Sequence, residues 1–141
     1  MKKLFNVAVL GSTGYVGMEL VKILIKHPNI NINFLGSETK TNKFLTNIER
    51  TKEYKNLPKL KNNKAFDFSL SDYVFLALPH SISQKYVKKF YNKINIIDLS
   101  ADFRLDDYEV YKNDYGEHIC PEYLSKFVYG LAEINRDLIY N

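Results

Sequence analysis

Cysteine is almost missing from this chain of 141 residues: Cys120 stands alone, which excludes an internal disulfide and a cysteine-based metal cluster. Histidine is sparse as well. His27, His80 and His118 lie far apart and show no metal-ligand spacing, so no metal is expected. Arginine is scarce too, limited to Arg50, Arg104 and Arg136 among twenty basic residues. The lysines that make up the rest are scattered among asparagines and isoleucines, with no basic cluster interleaved with aromatics. Nucleic acid is therefore not an expected partner, despite a formal net charge of +4. No apolar run approaches the roughly 18 residues of a membrane span. Met1-Lys2-Lys3 is followed by too few apolar residues for a signal peptide before the glycines begin. No membrane partner and a cytoplasmic location are expected. There is no internal repeat and no low-complexity linker. What is left is a chain 45% hydrophobic and 26% charged, ordinary for a globular domain and long enough for a core.

The stretch Val7-Ala8-Val9-Leu10-Gly11-Ser12-Thr13-Gly14-Tyr15-Val16-Gly17 reads as an apolar strand, a glycine-spaced turn and the start of an amphipathic helix. That is the pattern of a dinucleotide phosphate-binding loop. Gly11 allows a sharp turn at positive φ, Gly14 lets backbone approach a pyrophosphate, and Gly17 lets the helix sit close. The helix N-terminus offers unpaired N–H groups and a positive dipole end to an anion. The spacing is GxxGxxG rather than the commoner GxGxxG, so the strand before and the helix after give the motif its weight. The alternative is a glycine-rich turn that only packs. Gly11, Ser12, Thr13, Gly14, Tyr15, Val16 and Gly17 are the first cofactor-binding candidates.

The first strand is predicted over about Leu4 to Leu10. The helix from about Gly14 carries Val16, Leu20, Ile23, Leu24 and His27 at near-helical spacing, with Ser12 or Thr13 as cap and His27-Pro28-Asn29 as stop. Ile30 to Leu35 alternates with asparagine, which predicts a second, more exposed strand and a right-handed βαβ crossover. Gly36-Ser37-Glu38-Thr39-Lys40 then stands where such folds meet the adenosine ribose. An acidic residue there favours NAD, whereas hydroxyls with lysine admit a 2′-phosphate. Ser37, Thr39, Lys40 and Lys43 favour NADP and Glu38 opposes it; the balance favours NADP, and a plain polar turn is the alternative. From Thr41 to Lys64 the chain predicts an irregular excursion with at most one short strand. Tyr73 to Leu78 is a strand stopped by Pro79-His80-Ser81. Ser81 or Ser83 caps a helix to about Tyr91, with Val87 and Phe90 inward. Ile94 to Leu99 is another buried strand. Strand C-termini line the ligand crevice of an open parallel sheet, and Gly11, Ser37, His80 and Ser100 all fall at or just past such ends, which predicts a shared site. Tyr108 to Glu117 has no clear period. Cys120-Pro121 starts a short helix, Phe127 to Gly130 a short strand and turn, and Ile134 to Ile139 another helix. The whole predicts an α/β fold with a mainly parallel sheet.

Taken in order, Gly11-Ser-Thr-Gly-Tyr-Val-Gly-Met-Glu-Leu20, Val74-Phe-Leu-Ala-Leu-Pro-His80, Ile97-Asp-Leu-Ser-Ala-Asp-Phe-Arg-Leu105, His118-Ile-Cys-Pro-Glu122 and Val128-Tyr-Gly-Leu-Ala-Glu-Ile-Asn-Arg136 resemble N-acetyl-γ-glutamyl-phosphate reductase. This is the semialdehyde dehydrogenase of arginine biosynthesis. The resemblance spans nearly the whole chain apart from about 41 to 65. It implies a Rossmann-type NAD(P)-binding domain over residues 1–141, incomplete at its C-terminus, with the family's second α+β domain absent from the chain. It implies an oxidoreductase in which NADPH delivers hydride to an acyl-enzyme thioester made from N-acetylglutamyl phosphate, giving the semialdehyde and phosphate. The implied partners are a small acyl phosphate and, through the absent domain, further copies in a homo-oligomer. Such chemistry needs a thiolate, a general acid/base and oxyanion donors. The family's nucleophile lies in an Asn-Pro-Gly-Cys segment after the Asn-Arg helix and its catalytic histidine later still. The chain stops at Asn141, ahead of both, so it is expected to be a fragment with no catalytic residue and no turnover by itself. Aspartate-semialdehyde dehydrogenase shares the fold and glycine spacing, but Ser100 to Arg104 and Tyr129-Gly130 match the first family better. A non-enzymatic nucleotide-binding remnant is the alternative from another class.

Pro79 and His80 join the cofactor-binding candidates; His80 either lines the nicotinamide site or caps a helix. Ser100 and Arg104 are the substrate-binding candidates. A guanidinium at a strand-end loop holds a carboxylate or phosphate bidentately, and the alternative for Arg104 is an ion pair with Asp102 or Asp106. The family usually has glycine where Ser81 stands. Cys120 sits before Pro121 at a helix start and two residues from His118, which suggests a Cys/His nucleophile. The competing reading is a small buried hydrophobe, and the resemblance gives this position no chemistry.

Overall fold

The computed structural model describes residues 3–140, which fall into two compact units. The first comprises the chain to Leu78 with Phe90–Leu99. The second comprises Pro79–Lys89 and the chain from Ser100 onward. Among the described residues no helix is long and apolar enough to cross a membrane.

In the first unit the apolar runs pair as strands of one parallel sheet. They are β1 (Phe5–Leu10), β2 (Ile30–Leu35), β3 (Tyr73–Leu76) and β4 (Asn95–Asp98), in the order β2-β1-β3-β4. Val7 pairs with Ile32 on one side and Tyr73 on the other, so β1 lies inside the sheet and is apolar on both faces. Val7 and Val9 face α1 (Tyr15–Leu24) and form a core with Val21, Leu24, Ile32 and Leu35. Each such buried aliphatic contributes about 1.5–3 kcal/mol. Ala8, Leu10, Val74 and Leu76 point to the opposite face and are fully buried. Phe66 packs against Phe34 at 5.2 Å and against Phe90 at 5.3 Å.

Several expectations need correction here. The buried stripe of α1 is Gly17, Val21 and Leu24, whereas Val16, Ile23 and His27 are exposed. The closest point of the helix is its glycine, so a stripe drawn through the bulky residues is rotated off the true one. Ser12 and Thr13 do not cap α1; Gly14 occupies the N-cap position, with no side-chain cap. β2 is less exposed than its asparagines suggest, since Ile32, Phe34 and Leu35 are buried. β4 is less buried than its isoleucines suggest, because it is the edge of the sheet and Ile97 and Leu99 remain open on one side. The polar excursion, by contrast, is irregular as expected and forms no strand. Short 3₁₀ turns at Leu45–Asn47, Lys52–Tyr54 and Asn63–Ala65 and a single bridge from Gly36 to Lys61 lead it back along β2. It still supplies core, since Leu45, Tyr54 and Leu60 pack into the α1 side of the sheet. Lys22 holds it to α1 through Glu49 at 3.1 Å.

The second unit contains α2 (Ser83–Phe90, its last residue belonging to the first unit), α3 (Tyr108–Tyr115), a 3₁₀ turn over Pro121–Lys126 and α4 (Ala132–Tyr140). Val87 and Phe90 are buried as expected. α3 was not visible as a period, because Tyr111 is its one buried residue. Its end signals are nonetheless present: Asp107 accepts from the Val110 N–H at 3.0 Å, and Gly116 follows the helix at φ 88°. Neither Ser81 nor Ser83 caps α2 as expected. Ser81 adopts φ 67°, and the buried Ser83 hydroxyl has no partner. Phe127 to Gly130 forms no strand either. Phe127 instead stacks on Phe103 at 4.4 Å, and the Tyr129 carbonyl accepts from Asn135 at 2.9 Å.

Candidate cofactor site

In the first unit the site starts where β1 runs out. Gly11 has φ 79°, and a Cβ there would stand 2.1 Å from the Ala77 carbonyl oxygen. Only glycine fits that corner. The turn closes with the Gly14 N–H donating to the Gly11 carbonyl at 3.1 Å. A Cβ on Gly17 would stand 2.2 Å from that same carbonyl oxygen, so the first turn of α1 is seated directly on the loop. Gly14 is open by contrast, with nothing nearer a Cβ than 3.5 Å. Tyr15 and Val16 are 87% and 53% exposed. With glycine as N-cap, the first N–H groups of α1 are offered outward to whatever anion approaches.

The serine and threonine of the turn tie it to the end of β2. Ser12 is buried; its N–H and its hydroxyl both donate to the Gly36 carbonyl, at 2.8 and 2.9 Å. The Thr13 and Ser37 hydroxyls pair at 2.8 Å, and Ser37 also accepts from the Lys40 N–H at 3.1 Å. The structure thus brings Gly11 to Gly17, Ser37 and Lys40 together. Thr39 is exposed. An apolar groove lined by Phe5, Tyr73, Phe75 and Ile97 lies toward the other, N-terminal ends of the strands, away from the glycine turn.

In the second unit the centre is Asp102, fully buried. Its Oδ1 accepts from the Ser81 N–H (3.0 Å), Gln84 Nε2 (3.1 Å), the Tyr111 hydroxyl (2.9 Å) and His80 Nδ1 (2.8 Å). Several donors on one oxygen offset the cost of burying the carboxylate. His80 Nε2 lies 3.3 Å from the Tyr115 carbonyl, so the ring touches the end of α3 while staying partly exposed. Pro79 is exposed, and its carbonyl accepts from the Ile82 N–H. The Ser100 hydroxyl accepts from the Asp102 N–H at 3.0 Å. Arg104 is exposed and forms no ion pair among the described residues. The pairing with Asp102 fails because that carboxylate is buried and already taken by His80. His118 Nε2 donates to the Asp102 carbonyl and its Nδ1 accepts from the Cys120 N–H, which fixes one neutral tautomer; burial holds its pKa below the usual value. The Cys120 thiol, pushed up to about 11 by burial, donates to the Gln84 carbonyl.

The family model described as semialdehyde dehydrogenase, NAD binding domain, matches residues 6–141. The chain belongs to the semialdehyde dehydrogenase NAD-binding family. Curated relatives named N-acetyl-gamma-glutamyl-phosphate reductase are 44% identical over 92% of this chain in Ehrlichia canis and 41% identical over 98% of it in Caldicellulosiruptor bescii. The chain spans 38% and 40% of their lengths. Aspartate semialdehyde dehydrogenase from Candida albicans, solved with NADP, superposes with a TM-score of 0.59 over 72% of this chain and 31% of its own, at 23% identity. Aspartate semialdehyde dehydrogenase II from Vibrio cholerae gives 0.59 over 75% and 34%, at 24% identity. These two share the fold.

For a member of the NAD-binding semialdehyde dehydrogenases, the turn fits the phosphates of a dinucleotide: an uncapped helix end behind a corner that only glycine can make. Sequence reasoning missed Gly36 and Asn63, which brace this turn. It also missed the Gln84 and Tyr111 side chains around Asp102. Asn62-Asn63 reads as a turn and nothing more, and no local period links Gln84 to Tyr111.

Proposed function

We propose that this chain is the cofactor-binding portion of a reductase acting on N-acetyl-γ-glutamyl phosphate, with NADP as its dinucleotide. The substrate reading is supported by the names of relatives at 41–45% identity. The cofactor reading is carried by one observation: α1 begins without a side-chain cap behind the corner at Gly11. The first N–H groups of α1 hold the pyrophosphate. Ser37, Thr39 and Lys40 receive the ribose 2′-phosphate. By the resemblance, Pro79 and His80, the latter held by Asp102, are assigned to the nicotinamide, and Ser100 and Arg104, whose guanidinium has no ion pair among the described residues, to the acidic substrate. Bound NADPH supplies a hydride, so that acyl phosphate, NADPH and a proton give semialdehyde, phosphate and NADP. Residues 1–141 act as one cofactor-binding portion of a cytoplasmic homo-oligomer that assembles through parts of the relatives this chain does not span.

Titration calorimetry and thermal melting with NADPH test this. NADPH at about a hundred times its Kd adds about 2.7 kcal/mol of stability, and the melting temperature rises accordingly. In the full-length protein, N-acetylglutamate semialdehyde and phosphate reduce NADP, followed by absorbance. A protein that binds neither nicotinamide dinucleotide overturns the cofactor reading. One that binds NADPH yet oxidises it only with a different acyl phosphate overturns the substrate reading.

A further inference from the structure

Asn63 lies in the polar excursion, yet it is buried to 1% exposure. Its side chain touches three parts of the site at once. Oδ1 accepts from the Gly11 N–H at 3.1 Å, at the corner of the phosphate turn. The same oxygen lies 2.1 Å from where a Cβ on Gly36 would stand, so the amide occupies space that glycine leaves at the end of β2. Nδ2 donates to Glu38 Oε1 at 3.0 Å. Asn62 Nδ2 reaches the other carboxylate oxygen, Oε2, at 3.4 Å. The orientation of the Asn63 amide is dictated by its neighbours, because a backbone N–H only donates and a carboxylate only accepts. The excursion cannot drift from β2 at this point. The Ser37 N–H donates to the Lys61 carbonyl at 2.8 Å and the Lys61 N–H to the Leu35 carbonyl at 3.0 Å.

Glu38 is the acidic residue that argued for NAD at the ribose position. A free carboxylate there accepts from the ribose hydroxyls and repels a 2′-phosphate. Here both of its oxygens are turned to side-chain amides of the excursion. We infer that Asn63, helped by Asn62, is a specificity-determining positioning residue: it holds Glu38 on the excursion and leaves the Thr13, Ser37 and Lys40 corner open to a 2′-phosphate. This rests on the reading of β2's end as the ribose end of the cofactor site.

The test measures Kd for NADP and for NAD on the full-length protein and takes their ratio. Asn63→Asp keeps an oxygen for the Gly11 N–H but sets a second against Glu38. Asn62→Asp keeps the oxygen that accepts from the Lys64 N–H at 2.9 Å, and repels Glu38 without touching the buried amide. Expelling a carboxylate toward the 2′-phosphate lowers the preference for NADP over NAD about tenfold in Asn63→Asp and severalfold in Asn62→Asp. Adding Glu38→Gln to either variant returns the ratio to within about twofold of the starting protein, because the new amide donates to the new carboxylate. An unchanged ratio in Asn62→Asp overturns the inference, even where Asn63→Asp fails to fold. So does an equal loss of both nucleotides in Asn63→Asp, or a ratio that Glu38→Gln does not restore. A starting protein that binds neither nucleotide fails the cofactor reading itself and takes this inference with it.

Discussion

Cys120 has no exposed surface, its Sγ donates to the Gln84 carbonyl at 3.6 Å, and burial pushes the thiol up to about 11. Near neutral pH almost none of it is thiolate, the reactive form. His118 does not act as its base, because its Nδ1 already accepts the Cys120 N–H and its Nε2 donates to the Asp102 carbonyl. The native protein is therefore expected to resist iodoacetamide near neutral pH and to take up one equivalent on unfolding, as read by intact mass. Native labelling as fast as a free thiol contradicts the assignment. Ser81 is the second informative residue. At φ 67° it sits in the left-handed region, where an L side chain costs about 1–2 kcal/mol. The strain places the Ser81 N–H on Asp102. The glycine that the resemblance leads one to expect at this position suits the same backbone without that cost.

At the scale of elements, the strand, glycine turn and helix at the start of the chain were legible because their signals are local: an apolar run, then glycines at the corner. The packing jobs of Gly11 and Gly17 were legible with them: Gly11 turns at positive φ and Gly17 lets the helix sit close. Gly17 is expected to tolerate a side chain poorly although its φ is not positive. An alanine Cβ 2.2 Å from the Gly11 oxygen meets backbone on a fixed turn, which costs about 1–3 kcal/mol. A drop in melting temperature of about 4 °C per kcal/mol is expected for Gly17→Ala, together with weaker NADPH binding. Gly130→Ala, with nothing within 4 Å of its Cβ, serves as the control. Equal melting temperatures for the two variants defeat the claim that α1 is seated on the turn. α3 was missed for the reverse reason: its caps are local and readable at Asp107 and Gly116, but its single inward residue, Tyr111, gives no period.

For the whole molecule, pH acts on both units. Burial lowers the His118 pKa below 6.5. The unfolded chain takes up a proton that the folded one refuses, so His118's contribution is intact above 6.5 and is lost as pH falls below it. In the first unit burial raises Tyr54 from 10.0 to about 12, with the Glu49 carboxylate that accepts its hydroxyl adding to the shift. There the unfolded chain loses its proton first, and stability falls as pH climbs from 10.0 toward 12. Melting temperatures are thus expected to decline on both sides of a plateau. A flat profile as pH drops below 6.5 overturns the account of His118.

The sequence by itself determined the α/β class, the glycine corner and the family. All three rest on local order along the chain: apolar runs, glycine spacing and motifs in a set sequence. Only the tertiary structure decided how the ends of the strands are braced. Asn63 and Glu38 lie 25 residues apart and Asp102 and Gln84 lie 18 apart; neither pair leaves a periodic mark. What joins them is the return of the excursion along β2 in one unit and the burial of a single carboxylate in the other. Those are contacts between segments, fixed by hydrogen bonds that form only after the chain has folded.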